Sequence, residues 1–308
     1  MKIVFAGTPE FAVPSLCALH TAGFDIAAVL TQPDKPQGRK GILTPSAVKQ
    51  AALKAGVPVL QPNKLKDDFS ALKELRADLM VTCAYGQILT QNILDLFPLG
   101  VWNVHASLLP AYRGAAPIAR AVMDGMDRTG VTIMKTEAGL DTGDMLLQKS
   151  VAIEKTDTAG TLATRLAYVG AELIVKALRI IESGTYRLKR QDEGFVCKKV
   201  ARTQVDFTRP ASEVSALIRG LSPSPLSFGV VNGLTLNFYT AEALETEEGD
   251  PAGTVLVSSP KTGFIVKCGR GAVRIWRLQP AGGKEMSDKD FCNGRKVSEG
   301  MKFDQPVL

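Results

Sequence analysis

Residues 2–31 read KIVFAGTPEFAVPSLCALHTAGFDIAAVLT, and this stretch decides the fold. The short apolar runs IVFAG and IAAVLT are typical of buried β-strands. Residues 11–22 between them form an amphipathic helix candidate, and Gly23 stands where a helix C-terminus is expected. A strand, a helix and a second strand in this order predict two parallel strands joined by a helix.

The same alternation continues through the first half of the chain. Further strands are predicted at the runs PVL, LMVTCA, VWNVH and GVTIM, and further helices near residues 45–55, 66–76, 88–96 and 115–124. Residues 158–182 contain the strongest helical periodicity in the chain. We therefore expect an α/β fold for residues 1–184, with a Rossmann-like, mostly parallel sheet that has helices on both faces.

The composition changes after Gly184. Residues 185–203 are polar and basic, which predicts a linker. Residues 204–308 contain short alternating runs such as LTLNFYT and GFIVKCG, which are separated by Gly, Pro and Asn. Several short strands with tight turns predict a small C-terminal β-barrel of OB-like type, with a helix near residues 211–219.

Length and composition exclude several classes of protein. The chain has 308 residues, of which 45% are hydrophobic and 22% charged, as in an ordinary soluble globular protein and unlike a disordered chain. No apolar run approaches the ~18–20 residues that cross a bilayer, and the run after Met1 is too short for a signal peptide. Five scattered cysteines without C-x-x-C spacing argue for reduced thiols, a cytoplasmic location and no zinc site.

The net charge of +6 is unevenly distributed along the chain. Residues 184–200 contain five basic and two acidic side chains, and residues 251–284 contain six basic side chains and no acidic one. Such basic stretches are typical of a surface that binds a polyanion, for example a nucleic acid. The alternative is a solvated surface with uneven charges.

Common cofactor and nucleophile motifs are absent from the sequence. The first strand ends in Gly7-Thr8-Pro9-Glu10, which lacks the further glycines of a dinucleotide-binding turn. The chain contains no G-x-x-x-x-G-K-[ST], no H-E-x-x-H and no G-x-S-x-G. The α/β part therefore shows no sign of NAD, ATP, zinc or an activated serine.

His105 and Asn103 are the first candidates for a functional site. They lie two residues apart in the apolar run VWNVH, so they occupy the same face of a strand, and His105 ends that strand. Ligands bind at the carboxyl ends of strands in open parallel sheets. An amide and an imidazole placed there can both donate to one developing oxyanion. The alternative is a hydrogen-bonded histidine with a structural role only.

Asp141 is the third candidate, in the sequence Gly139-Leu140-Asp141-Thr142-Gly143-Asp144. An aspartate before a glycine often only forms a turn. A carboxylate near a histidine, however, sets the tautomer of the imidazole and favours its protonated form. Both interpretations stay open on the spacing of these residues alone.

Taken together, these segments resemble the folate-dependent formyltransferases. The shared motifs are Asn103-Val104-His105, Ser107-Leu108-Leu109-Pro110, Arg113-Gly114 and Leu140-Asp141-Thr142-Gly143-Asp144. Flanking motifs extend the resemblance over the whole chain: Phe5-Ala6-Gly7-Thr8-Pro9, Thr31-Gln32-Pro33-Asp34, Gly114-Ala115-Ala116-Pro117 and Leu278-Gln279-Pro280-Ala281-Gly282. The pattern is most similar to the members that act on the methionine carried by initiator tRNA.

The resemblance implies an activity and a set of site residues. A formyl group would move from 10-formyltetrahydrofolate to the α-amino group of methionyl initiator tRNA, for translation initiation. The implied catalytic residues are Asn103, His105 and Asp141. The implied folate-contacting residues are Ser107, Leu108, Leu109 and Pro110. The implied tRNA contacts are Lys35, Arg39 and Lys40, in the loop 33–45, together with the C-terminal barrel.

Direct attack of the amine on the formyl carbon passes through a tetrahedral intermediate, whose oxyanion needs hydrogen-bond donors. We expect no covalent enzyme intermediate, no metal and no nucleotide cofactor, and a monomer is sufficient. Two other acceptors stay open: a nucleotide amino sugar and the purine precursor glycinamide ribonucleotide. The purine enzymes resemble only the first domain, which counts against them. A non-catalytic tRNA-binding protein is an alternative from a different class, but it gives Asn103, His105 and Asp141 no role.

Overall fold

A computed structural model of the protein describes residues 1–38, 41–246, 249–294 and 296–306. The chain forms two units. The first contains Met1–Gly114, Thr129–Val151 and Ala163–Val196, and the second contains Ala115–Arg128, Ala152–Leu162 and Cys197–Leu308. The contiguous division expected at residues 184 and 203 stays a prediction.

The strands of the first half of the chain are β1 Lys2–Gly7, β2 Asp25–Leu30, β3 Lys35–Gln37, β4 Ile42–Thr44, β5 Val59–Leu60, β6 Leu79–Cys83, β7 Val101–His105, β8 Arg113–Gly114, β9 Arg128–Lys135 and β10 Met145–Ala152. Seven of them form one sheet in the order β10-β9-β7-β6-β1-β2-β5. The pairs from β5 to β7 are parallel, and β9 runs antiparallel to β7. This confirms the prediction of a Rossmann-like, mostly parallel sheet.

Burial explains why the apolar runs form this sheet. Ile3 to Ala6 of β1 and all of β6 are buried, as expected of central strands with cover on both faces. The edge strand β10 has a mixed burial pattern, with three consecutive exposed residues. Its sequence MLLQKSVA therefore lacks the continuous apolar run by which the other strands are predicted, and sequence analysis missed it.

The helices are α1 Val13–Thr21, α2 Ala47–Lys54, α3 Ser70–Glu74, α4 Gln91–Leu94, α5 Pro117–Met123 and α6 Ala159–Glu182, and a 3-10 turn, Glu10–Ala12, precedes α1. Two of the predicted helices are much shorter than expected. The backbone of Thr90 is extended, so α4 begins only at Gln91. Likewise, α3 begins only at Ser70, because the backbone of Phe69 (φ −127°, ψ 19°) is not helical.

The second unit is centred on another sheet. The remaining strands of the chain are β11 Val196–Cys197, β12 Thr203–Gln204, β13 Ser227–Val231, β14 Leu234–Leu244, β15 Val255–Ser259, β16 Gly263–Lys267, β17 Ala272–Pro280 and β18 Met286–Ser287. The sheet order is β12-β13-β14-β17-β16-β15, and β18 pairs with β17. The turn Asn232-Gly233 between β13 and β14 has φ of 48° and 73°, which is the conformation of a two-residue type I′ hairpin. Helices α7 Ala211–Gly220 and α8 Asp288–Asn293 complete the unit.

The C-terminal segment joins the two sides of this second sheet. Phe303 forms a β-bridge with Val231 at the end of β13, and Lys302 forms one with Thr254 just before β15. The Phe303 ring lies in the core, with its centroid 4.9 Å from that of Phe207 and 6.0 Å from that of Phe238. The expected small C-terminal β domain is thus present, and the segment after residue 300 closes it.

Among the helices of the described residues, none has the length and apolar character needed to span a membrane. All five cysteines are free thiols; Cys17 is exposed and the other four are buried.

Candidate active site

Asn103, His105 and Asp141 meet at the carboxyl end of β7. Asn103 and His105 lie on the same face of that strand, and Asp141 lies in the loop between β9 and β10. Asn103 Nδ2 donates a hydrogen bond to Asp141 Oδ1 at 3.4 Å. His105 Nδ1 lies 3.6 Å from Asp141 Oδ2, and the two side chains are 5% and 17% exposed. One carboxylate therefore faces both nitrogen donors in a largely buried setting.

The second nitrogen of the His105 ring has a fixed partner. Nε2 lies 2.9 Å from the main-chain carbonyl oxygen of Tyr112. A carbonyl can only accept, so Nε2 carries the proton of that hydrogen bond. The separation between Nδ1 and Asp141 is longer than an ordinary hydrogen bond, which leaves Nδ1 able to contact a substrate atom as well.

A tight loop presents Asp141. Its φ of +52° lies in the left-handed region, which aspartate tolerates better than most residues. Oδ2 accepts a hydrogen bond of 2.8 Å from the main-chain N–H of Gly114. Two residues later, a Cβ on Gly143 would collide with the main-chain carbonyl of Lys135, so only glycine fits there. The turn that sequence analysis considered for Asp141 exists, and this turn aims the carboxylate at His105.

Thr82 orients the amide of Asn103. The parallel register of β6 and β7 places Thr82 opposite Asn103. Thr82 Oγ1 donates to Asn103 Oδ1 at 3.0 Å, which identifies that atom as the acceptor and turns Nδ2 toward Asp141. One N–H of Nδ2 serves Asp141, and the second is directed elsewhere. Sequence analysis missed Thr82 because its role depends on the register of two strands.

The segment Ser107–Pro110 follows β7 directly and is tied down by its own hydrogen bonds. Ser107 is fully buried, and its Oγ donates to the carbonyl of Ala111 at 2.6 Å. Thr132 donates to the Ser107 carbonyl at 2.7 Å and accepts from the Leu109 N–H at 3.2 Å. Leu109 is buried in a cluster with Met134 and Met145. The accessible surface of the predicted folate segment therefore comes mainly from Leu108 and Pro110, which are half-buried.

The predicted tRNA-contacting loop 33–45 is a β-hairpin where the structure describes it. Lys35 begins β3, is exposed and pairs with Thr44 of β4. Arg39 and Lys40 lie outside the described residues. At the base of the hairpin, the Asp34 carboxylate accepts hydrogen bonds from Lys49 Nζ at 2.7 Å and Gln61 Nε2 at 2.8 Å. The two hydrogen bonds hold the pKa of Asp34 below its usual value, and the one from Lys49 has the larger effect.

Sequence analysis also missed Gln191, which lies in the segment predicted as a linker. Its Nε2 lies 2.9 Å from the main-chain carbonyl of Asp141 and 2.6 Å from that of Gly143. Its Oε1 accepts from Nε and Nη2 of Arg113, at 3.0 and 2.9 Å. No sequence signal distinguishes this glutamine from its polar neighbours. No group of three or more His, Cys, Asp or Glu side chains that could hold a metal ion occurs in the part of the chain that the structure describes.

Comparison with known proteins gives a consistent family for both halves of the chain. Residues 1–178 match the family model described as formyl transferase, and residues 198–296 match the model described as formyl transferase, C-terminal domain. The methionyl-tRNA formyltransferase of Herminiimonas arsenicoxydans is 45% identical over 308 aligned residues, which cover 96% of this chain and 97% of the relative. That of Stutzerimonas stutzeri is 46% identical over 302 residues, with 96% and 95% coverage.

A solved structure shares the fold. The N-formyltransferase of Helicobacter canadensis, in complex with folinic acid and dTDP-3-aminofucose, superposes with a TM-score of 0.67 over 89% of this chain and 98% of its own. The two sequences are 19% identical, so this likeness shows the fold alone.

Proposed function

The chain belongs to the methionyl-tRNA formyltransferases within the formyl transferase family, and we propose that Asn103, His105 and Asp141 carry out its reaction. The activity of that family is formyl transfer to the α-amino group of methionine on initiator tRNA, so the resemblance drawn from the motifs is confirmed. The observation that carries the site proposal is the single Asp141 carboxylate that faces both Asn103 Nδ2 and His105 Nδ1.

The geometry supports a proposed step for each side chain. The methionyl nitrogen attacks the formyl carbon, and the carbonyl oxygen becomes an oxyanion. The second N–H of Asn103 stabilises this oxyanion, and so does the Nδ1–H of His105 in the imidazolium form, in which both ring nitrogens carry a proton; one such donor is worth about 2.7–4 kcal/mol in comparable sites. Asp141 lies beside that imidazolium as its counter-charge and accepts the proton that the attacking amine sheds. The bond from the formyl carbon to the folate nitrogen then breaks, and Asp141 returns this proton to the departing nitrogen.

A folate-derived co-substrate agrees with the family and with the folinic acid bound to the Helicobacter canadensis enzyme. We assign the donor as 10-formyltetrahydrofolate, with Ser107, Leu108, Leu109 and Pro110 as the segment beside it. The two half-buried side chains, Leu108 and Pro110, offer the accessible contact surface. We propose a reaction with no covalent enzyme intermediate and with no metal or nucleotide cofactor.

The tRNA contacts are proposed from charge. Lys35, Arg39 and Lys40 belong to the predicted tRNA-contacting loop 33–45, and Lys35 is exposed. The residues 251–284, within the second sheet, carry six basic side chains and no acidic one. Cations of this kind bind phosphates without reading sequence and position the acceptor end.

The proposed domains follow this division of roles. They are a catalytic domain 1–184, a basic linker 185–203 and a tRNA-binding β domain 204–308. We propose that the protein is monomeric and cytoplasmic.

A nucleotide amino sugar is the second candidate acceptor, because the enzyme that binds dTDP-3-aminofucose has the same fold. The relatives that are 45–46% identical over nearly the full length favour methionyl-tRNA. The deciding experiment supplies 10-formyltetrahydrofolate with charged initiator tRNA and, separately, with nucleotide amino sugars, and follows formyl transfer. We expect transfer to methionyl-tRNA; transfer to a sugar alone would overturn this substrate.

A further inference from the structure

Gln191 contacts the backbone of the loop that contains Asp141, on both sides of Thr142. Its single amide nitrogen lies within hydrogen-bond distance of two carbonyl oxygens, those of Asp141 and Gly143. An amide nitrogen has two N–H groups, so one side chain can satisfy both carbonyls. The two carbonyls flank Thr142, and the contact therefore sets the curvature of the loop at the residue that bears the carboxylate.

Arg113 holds Gln191 in turn. Its guanidinium donates through Nε and Nη2 to Gln191 Oε1, and Nη2 also donates to the main-chain carbonyl of Asp192 at 2.9 Å. The bidentate contact identifies the oxygen of the Gln191 amide, which directs its nitrogen to the loop. The next residue, Gly114, donates its N–H to Asp141 Oδ2 at 2.8 Å. The Arg113-Gly114 dipeptide thus fixes both the carboxylate of Asp141 and, through Gln191, its main-chain carbonyl.

Asp141 depends on such contacts because no regular element supports it. It lies outside the hydrogen-bonded strands and has a left-handed φ of +52°. Its neighbours Glu137 to Leu140 are exposed or half-buried, so packing contributes little to its position. A displacement of about 1 Å in a catalytic group is enough to lower a rate by ~10²-fold. Any group that sets the loop backbone therefore controls the distance from Asp141 to His105.

We propose that Gln191, clamped by Arg113, is the positioning residue that holds Asp141 against His105 for formyl transfer. This inference rests on the proposed function of the three site residues. Gln191 acts through the backbone of Asp141 and touches no reacting atom. Removing its side chain therefore displaces Asp141 from His105 in the transition state and leaves the binding of both substrates nearly unchanged.

The test uses the full-length chain with Gln191→Leu, which removes the hydrogen-bonding groups at similar volume. We expect kcat for formylation of charged initiator tRNA to fall about 10-fold or more, with the KM for either substrate within about twofold of wild type. Gln91→Leu is the matched control, because the exposed side chain of Gln91, on α4, donates to Asp95. That control is expected to behave as wild type in both parameters.

A double-mutant cycle separates positioning from general stability. If Gln191 acts through Asp141, Gln191→Leu in an Asp141→Asn background costs little further activity. Independent, multiplicative losses would overturn the proposal, and so would a normal kcat or a loss confined to KM. If Gln191→Leu does not stay folded, Gln191→Glu replaces it as the test. This variant keeps the acceptor for Arg113 and removes the two N–H donors to the loop. We expect the same loss of kcat.

Two other variants test the proposed function independently of Gln191. Near-normal turnover of His105→Ala and Asp141→Asn would overturn the roles of the site residues themselves. Slow turnover of both variants, together with normal turnover of Gln191→Leu, would overturn only the positioning role.

Discussion

His105 Nδ1 lies 3.6 Å from Asp141 Oδ2, close enough for strong electrostatic attraction and too far for a full hydrogen bond. The opposite ring nitrogen is already paired with a main-chain carbonyl, that of Tyr112. A proton on Nδ1 therefore exists only in the imidazolium form, and there the carboxylate and an incoming oxyanion can share it. In the proposed mechanism this pair contributes most when charge develops on the substrate, and the first two predictions test that role.

His105→Ala is expected to lower kcat by at least ~10²-fold, because an oxyanion donor is lost in the transition state. The KM values for folate and charged tRNA should change little, since the ground state gains little from that donor. Steady-state kinetics with each substrate varied in turn measure both parameters. Near-normal turnover would end the catalytic assignment of His105.

Asp141→Asn retains the shape of the side chain and removes its charge. We expect a rate loss on the order of 10²-fold in a protein that is still folded, because the amine proton loses its acceptor and the imidazole its counter-charge. Circular dichroism and a thermal melt establish folding; an unfolded variant would mean that Asp141 is only a turn residue.

Thr82→Val removes the hydroxyl that orients the Asn103 amide and keeps the side-chain volume. A single hydrogen bond contributes about 0.5–1.5 kcal/mol, so we expect kcat to fall roughly 2- to 10-fold. Thr136→Val is the matched control, since its buried Oγ1 has no hydrogen-bond partner in the part of the chain that the structure describes. Equal kinetics for the two variants would show that Thr82 does not orient Asn103.

Arg39→Ala combined with Lys40→Ala tests two of the three cations proposed to contact tRNA. Each lost phosphate contact lowers the slope of log affinity against log salt by about one. We expect weaker use of charged tRNA, a shallower salt dependence and unchanged folate affinity, measured as kcat/KM over a range of salt concentrations. Full activity of the double variant at physiological salt would place tRNA recognition elsewhere on the protein.

The cysteines differ in reactivity because burial controls ionisation. Burial raises the pKa of Cys83 and of Cys268 to about 12, and it also raises the pKa of Cys197 and Cys292. The thiolate is the reactive form, so these four stay protonated and unreactive at pH 8 in the native protein. A thiol alkylating reagent should label Cys17, which is exposed, well before the others. Mass spectrometry checks this order, and fast labelling of a second thiol contradicts it.

The sequence predicted the sheet, and the placement of Asn103 and His105 in it, for physical reasons that are local. Period-two alternation placed Asn103 and His105 on one face, and the end of the apolar run placed them at the carboxyl edge. The motif around Asp141 is a turn whose residue types are visible in the sequence. Both signals depend only on residues that are close together in the chain.

The features that were missed depend on contacts between distant residues. Gln191 is 50 positions from Asp141, and nothing in its neighbourhood indicates the loop that it contacts. Thr82 becomes important only through the register between β6 and β7. The β3–β4 hairpin was expected as a loop because its strands are three residues each, too short to show a period. Strand β10 was missed because half of it faces solvent.

The bridges from Phe303 to Val231 and from Lys302 to Thr254 also determine when the second sheet can fold. During synthesis, the strands of that sheet emerge before the segment that joins its two sides. Until residues 302 and 303 leave the ribosome, two strand edges stay unpaired and the pocket for the Phe303 ring stays empty. Unpaired edges are prone to association with other chains, and non-local closure of this kind slows folding. The nascent chain is therefore exposed to aggregation until residues 302 and 303 have emerged and paired.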